Sequence, residues 1–170
     1  MTYQRFEDLP VWQASMNLLE NVYELTDAAE TQMRRRASLR SQLERATLSI
    51  SNNIAEGFER GTTKELLGFL YIAKGSAGEV RSMLLAMERS PLFGDFKSQI
   101  LDLKSQAEGC SRQLGAWAQS LQDSKIKGQR HLNTESREQF AREQQQEAAE
   151  KDKHAFLEQI AAEVRQQRGF

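Results

Sequence analysis

Two long stretches of this chain place apolar residues at alternating intervals of four and three. The first runs Leu66, Leu70, Ala73, Ala77, Val80, Leu84, Met87; the second runs Phe96, Ile100, Leu103, Ala107, Cys110, Leu114, Trp117, Leu121. Such intervals stay close to the roughly 3.6 residues of an α-helical turn, so each stretch lines one side of a helix with a continuous apolar seam. This is the contact geometry of a left-handed helical bundle. Two seams need further helices to cover them.

The upstream sequence supplies two. After a short polar lead over residues 1–8, Pro10 suits the first turn of a helix, where its missing N–H is no loss. Val11, Trp12, Met16, Leu18, Leu19, Val22, Tyr23 and Leu25 follow, a stripe wide enough to imply that two faces are covered. Residues 26–37, acidic and then basic, are expected to form a turn, and Ser38 is the expected cap of a second helix carrying Leu39, Leu43, Ala46, Ile50 and Ile54, with Gly57 and Gly61 bracketing its end. Thr62-Thr63-Lys64-Glu65 reads as a capping box opening the third helix. Ser90-Pro91 reads as cap and first-turn proline for the fourth. Short connections force successive helices antiparallel. The expected fold is therefore all-α: an antiparallel up-and-down four-helix bundle over residues 1–122. A composition with only two prolines, rich in Ala, Leu, Glu, Gln, Arg and Lys, agrees with it.

Beyond residue 122 the pattern stops. Residues 123–133 lack periodicity and read as a linker. Residues 134–170 have strong helix propensity but almost no apolar stripe until Phe156, Leu157, Ile160, Ala161 and Val164, so an additional charged C-terminal helix is expected there.

Several function classes lose support at this level. Both histidines, His131 and His154, fall in the tail, and Cys110 sits on the fourth helix's seam, where a small buried hydrophobe is the plain reading. No catalytic residue, metal site or cofactor is expected. Gly57, Gly61 and Thr62-Thr63-Lys64 have the wrong order for a phosphate loop. Gly75 and Gly78 lie inside a helix, where small residues allow close helix approach. A single cysteine suggests a reducing, cytoplasmic setting. No secretory signal is visible, and no apolar run approaches the roughly 20 residues of a membrane span. Residues 1–122 hold 14 basic and 15 acidic residues, and the remainder holds 9 of each. Nucleic acid could be bound only by a local or assembly-generated patch.

The most informative segment is Ser49-Ile50-Ser51-Asn52-Asn53-Ile54-Ala55-Glu56-Gly57. Asn and Ser are poor mid-helix residues because their side chains compete for the backbone. Asn53 falls near the core side, and Tyr71, Ser76 and Glu79 on the facing helix are its candidate partners. Glu56 and Glu79 could also face each other, as a structural hydrogen-bonding pair; a di-metal bundle would want Glu-x-x-His pairs as well. The expectation is a buried polar layer of Asn52, Asn53, Glu56, Tyr71, Ser76 and Glu79, a device that fixes register; a small ligand pocket is the alternative.

Four ordered motifs carry a resemblance: Phe6-Glu7-Asp8-Leu9-Pro10-Val11-Trp12; Leu39-Arg40-Ser41-Gln42-Leu43 with Arg45-Ala46; Ser49 to Gly57 with Phe58, Arg60 and Gly61; and Phe69-Leu70-Tyr71-Ile72-Ala73-Lys74-Gly75-Ser76 with Glu79. Over roughly residues 5–120 the chain resembles the bacterial 23S rRNA intervening-sequence proteins, the S23 family, which is distantly similar to the accessory protein of diversity-generating retroelements. The resemblance implies an up-and-down four-helix bundle, a homopentameric ring and no catalytic residues. The family usually has proline where Ser51 stands, which implies a less kinked second helix here. The tail lies outside the resemblance.

Two functions are compatible with these residues. In the first, assembly multiplies Arg34, Arg35, Arg36, Arg40 and Arg45 around the start of the second helix, and Lys64, Lys74 and Arg81 along the third, into a surface for RNA or DNA; ordinary solvated side chains are the plain alternative. In the second, the assembly is a scaffold and Phe156, Leu157, Ile160 and Val164 lay one apolar face on a partner protein or on another tail; a mobile charged tail is the alternative there.

Overall fold

The computed structural model describes residues 3–123 and, farther on, Arg142, Gln145, Gln146, Ala149 and Glu150, which are helical and exposed. The chain divides into two compact units, 1–130 and 131–170. Phe156, Leu157, Ile160, Val164, both histidines and residues 124–133 of the expected linker lie outside the described residues.

Five α-helices build the first unit: α1 (Pro10–Ala28), the short α2 (Glu30–Arg34), α3 (Ala37–Glu59), α4 (Thr63–Glu88) and α5 (Lys97–Asp123). The four long helices pack in the cyclic order α1, α3, α4, α5, each against two neighbours. This is the expected all-α, up-and-down bundle. Every seam position of α4 is buried: Leu66, Leu70, Ala73, Ala77, Val80, Leu84 and Met87. On α5 the seam is buried from Ile100 to Leu114, but Ala118 then takes the core position and Trp117 is only half-buried. The strict alternation drifts because an α-helix has slightly more than 3.5 residues per turn.

The connections differ from expectation in three places. Residues 26–37 are not a plain turn: α1 continues to Ala28, α2 follows, and Ala29 and Met33 close the end of the core. Ser38 does not cap α3; it lies inside the helix, and Arg36 at the cap position makes no side-chain cap bond. Likewise Ser90 caps nothing with its side chain, and Pro91 opens a 3₁₀ segment, Pro91–Phe96, that buries Phe93 before α5 begins. The Thr62 cap is present. Its hydroxyl oxygen accepts from the Glu65 N–H at 3.2 Å and its O–H donates to Glu65 Oε2 at 2.7 Å, so the glutamate reaches back to the hydroxyl.

Hydroxyls buried among the helices are satisfied locally. Ser15 donates to Trp12 O at 2.6 Å, Thr47 to Leu43 O at 2.7 Å and Ser51 to Leu48 O at 3.0 Å. Bonds to carbonyls three or four residues back let these side chains occupy core positions without stranding a donor. Helix α3 runs unbroken through Ser51, as the absence of proline there implies.

One close approach fixes how α3 meets α4. A Cβ placed on Gly57 would stand 2.7 Å from Phe69 Cβ and 3.2 Å from Leu66 Cδ1, so no larger residue fits without moving a helix. Beside it, Arg60 lies over the Phe69 ring at 5.1 Å and pairs with Glu56 at 2.5 Å. We expect Gly57→Ala to destabilise the bundle by about 1–3 kcal/mol through overpacking. Gly109→Ala, where an added Cβ meets nothing within 4 Å inside a helix, should stabilise it by roughly 0.5–1 kcal/mol. Urea unfolding of the two variants checks both signs.

Candidate functional site

The expected six-residue polar layer contracts to a three-residue chain. Asn53 Nδ2 donates to Ser49 O at 2.7 Å and to Ser49 Oγ at 2.9 Å, and Ser49 Oγ lies 2.9 Å from Ser76 Oγ on α4. Ser76 also donates to Ile72 O at 3.1 Å. Asn53 thus meets α4 through Ser49, a residue absent from the expected set.

Asn52, Glu56, Tyr71 and Glu79 are not in that layer; all four are exposed. Glu56 belongs to Arg60, and the Tyr71 hydroxyl accepts from Gln122 on α5 at 2.8 Å. Glu79 makes no hydrogen bond or ion pair among the described residues. The physical reason is rotational: Asn52 and Glu56 turn outward on α3, and Tyr71 and Glu79 share the outward side of α4, while Ala73, Ser76 and Val80 take the inward one. Gly75 and Gly78 also face out, and an added Cβ at either meets nothing within 4 Å, so they serve no helix contact within the subunit.

The expected basic residues do not form one patch. Lys74 lies along α5, its Nζ 3.5 Å from where a Gly115 Cβ would stand, and Arg81 is 3.9 Å from Glu108 on the same helix. Lys64 stands in the first turn of α4. Arg34, Arg40 and Arg45 line a groove of about 410 Å³ between α2 and α3, bordered by Tyr23 of α1, together with Met33 and Leu48. Two of these three are already paired. Arg34 meets Glu30 at 2.7 Å; Arg40 meets Asp27 at 2.6 Å and Glu44 at 2.8 Å. Its hydrogen bonds to Asp27, then to Glu44, hold the Arg40 guanidinium above its ordinary range. Arg45 has no carboxylate partner among the described residues.

Arg35 and Arg36 form a separate feature. Arg35 ends α2, and Arg36 occupies the cap position of α3, where no side chain caps the helix and no acid stands in the first turn. Both are exposed, and the Arg36 guanidinium donates to Arg35 O at 3.1 Å. The positive end of the α3 dipole and two arginines thus coincide, an arrangement suited to an anion. The uncapped α3 start, hidden by the expectation of a Ser38 cap, is the feature that sequence reasoning missed.

Among the described residues, no group of three or more His, Cys, Asp and Glu side chains gathers as a metal site, and no helix is long and apolar enough to cross a membrane. Cys110 is buried, and burial pushes its thiol up to about 11. With the folded value above the unfolded one near 9, the stability tied to the neutral thiol is complete below about pH 9 and is lost as pH climbs toward 11. We expect Cys110 to resist alkylation in the native protein at about pH 8 and to react in denaturant. The alkaline loss of stability should be shallower in Cys110→Ala.

No curated protein matches this chain. A family model described as 23S rRNA-intervening sequence protein matches residues 7–116, nearly the whole span of the four long helices, and the chain belongs to that family.

Proposed function

We propose that this protein is a non-enzymatic, cytoplasmic, ring-forming bundle, most simply a homopentamer, that binds RNA or DNA through an arginine-bearing end repeated in every copy. The observation that carries the nucleic-acid part is the uncapped start of α3 at Ala37, immediately preceded by Arg35 and Arg36. Backbone N–H groups of a free helix start favour a phosphate, and two arginines beside it add charge-assisted bonds. One such end is weak. A ring sets several at fixed separations, and binding by several ends at once on one strand raises affinity far above that of a single end. The near-neutral subunit is compatible with this, because the charge that matters is local. The pentamer is what the resemblance to the S23 family implies. Exposed Tyr23, Leu48, Ile72, Leu85 and Leu101, among the large apolar side chains that face out in the described residues, support association.

Titrating a labelled single-stranded RNA at low and moderate salt tests the reading. Replacing both Arg35 and Arg36 with Ala should weaken binding by about tenfold or more. It should also lower the dependence of log affinity on log salt by roughly one unit for each phosphate that the variant no longer neutralises. Absence of binding at low salt, or an unchanged salt slope in the variant, contradicts it.

A further inference from the structure

We infer that the phosphate-binding surface extends from Arg35 and Arg36 across the α3–α4 boundary to Arg89 and on to Lys97, and that it is the cationic end of a bundle whose opposite end is anionic. This rests on the nucleic-acid part of the function proposed above and names two further residues that a strand meets.

Antiparallel packing brings the four residues to one end. Ser49 on α3 meets Ser76 on α4. Arg36 precedes Ser49 by as many residues as Arg89 follows Ser76, so the two stand level, since both helices rise equally per residue. Arg89 closes α4 with its backbone N–H on Leu85 O at 3.2 Å, and its side chain is left exposed. Lys104 pairs with Glu88, the residue before Arg89, and Lys97 opens α5 about two turns ahead of Lys104.

Ion pairing leaves the two ends unlike. The connections 29–36 and 89–96 and the helical turns adjoining them hold four pairs' worth of charge that cancels: Glu30 with Arg34, Asp27 with Arg40, and Glu88 lies against Lys104 while Glu44 shares Arg40. Arg35, Arg36, Arg89 and Lys97 remain, exposed and without an ion pair among the described residues, against one such carboxylate, Asp95. The next exposed acids without an ion pair, Glu24 and Asp102, stand a turn or more back along α1 and α5. At the opposite end Glu7 takes Arg5 and Glu56 takes Arg60, which leaves Asp8, Glu59, Glu65 and Asp123 against Lys64. Each end carries two starts and two finishes of long helices, so helix dipoles offset one another and side chains set the sign.

The chemistry of the cationic end favours a phosphate strand over a protein. Three of its four free cations are arginines, whose planar fork takes two phosphate oxygens at once. Among the described residues, no large apolar side chain is exposed in either connection; Met33 and Phe93 there are buried, and Leu85 faces out a full turn back along α4. A protein partner would find no apolar centre to cover.

The test is titration of a labelled oligouridylate with the full-length chain at low and moderate salt, with protein mass followed by light scattering. Arg89→Ala and Lys97→Ala should each weaken binding by about threefold or more and lower the salt slope by roughly 0.7 for each phosphate released from a single strand. Arg89→Lys, which keeps the charge, should recover most of the loss. Lys64→Ala, at the anionic end, should stay within about twofold of wild type. Mass and helical signal should not change in any variant. Either Arg89→Ala or Lys97→Ala binding as tightly as Lys64→Ala overturns the extension; a loss in the Arg35 and Arg36 double variant would still leave the proposed function standing. A change of mass in Arg89→Ala assigns this end to protein contact and overturns the extension as well. Wild type that ignores the RNA at low salt overturns both.

Discussion

Helix α4 is the constraint on which the rest of the subunit depends. It packs against both α3 and α5 more extensively than α1 does from the other side, and its seam is buried along its whole length. The tightest point is near its start, where Gly57 lets α3 come against Phe69 and Leu66. A side chain there would push the two helices apart and open the seam above it. Helices α1 and α5 then close the ring of four, with Asn21 donating to Gln106 at 2.9 Å across their contact. Packing of apolar seams supplies the stability, and the half-buried Ser49–Asn53–Ser76 chain sets the register of α3 on α4.

Much of this was legible because heptad-like spacing maps directly onto buried positions. Every seam residue expected on α4 is buried, and the Thr62 cap is where its sequence places it. What escaped was of two kinds. Connections depend on tertiary closure: Met33 and Phe93 are core residues carried by short helical segments that have no periodicity to reveal them. Polar residues on helices were harder still. A small angular error moves a side chain from core to surface, and Asn52, Glu56, Tyr71 and Glu79 all fell on the outer side. Part of the expected arginine patch is likewise absorbed by carboxylates whose proximity only the fold creates, as with Asp27 and Arg40, thirteen residues apart.

That displacement changes how the motif-bearing segments are understood. Residues that looked like interior glue instead dress the outside of α3 and α4, beside exposed glycines and Ile72. The subunit does not need them for its own core. They make sense as a surface, and a protein whose distinguishing residues lie on its surface works by what it touches. In the proposed function, the uncapped helix start preceded by two arginines is the part that meets a polyanion.

The central claim is that assembly creates the anion-binding surface. It is tested most directly by measuring protein mass and labelled-RNA binding in the same dilution series. The account predicts that RNA affinity rises steeply over the concentrations at which mass climbs above the 19.4 kDa of one chain. RNA binding of equal strength by the single chain, or an assembled protein that ignores RNA at low salt, would contradict it.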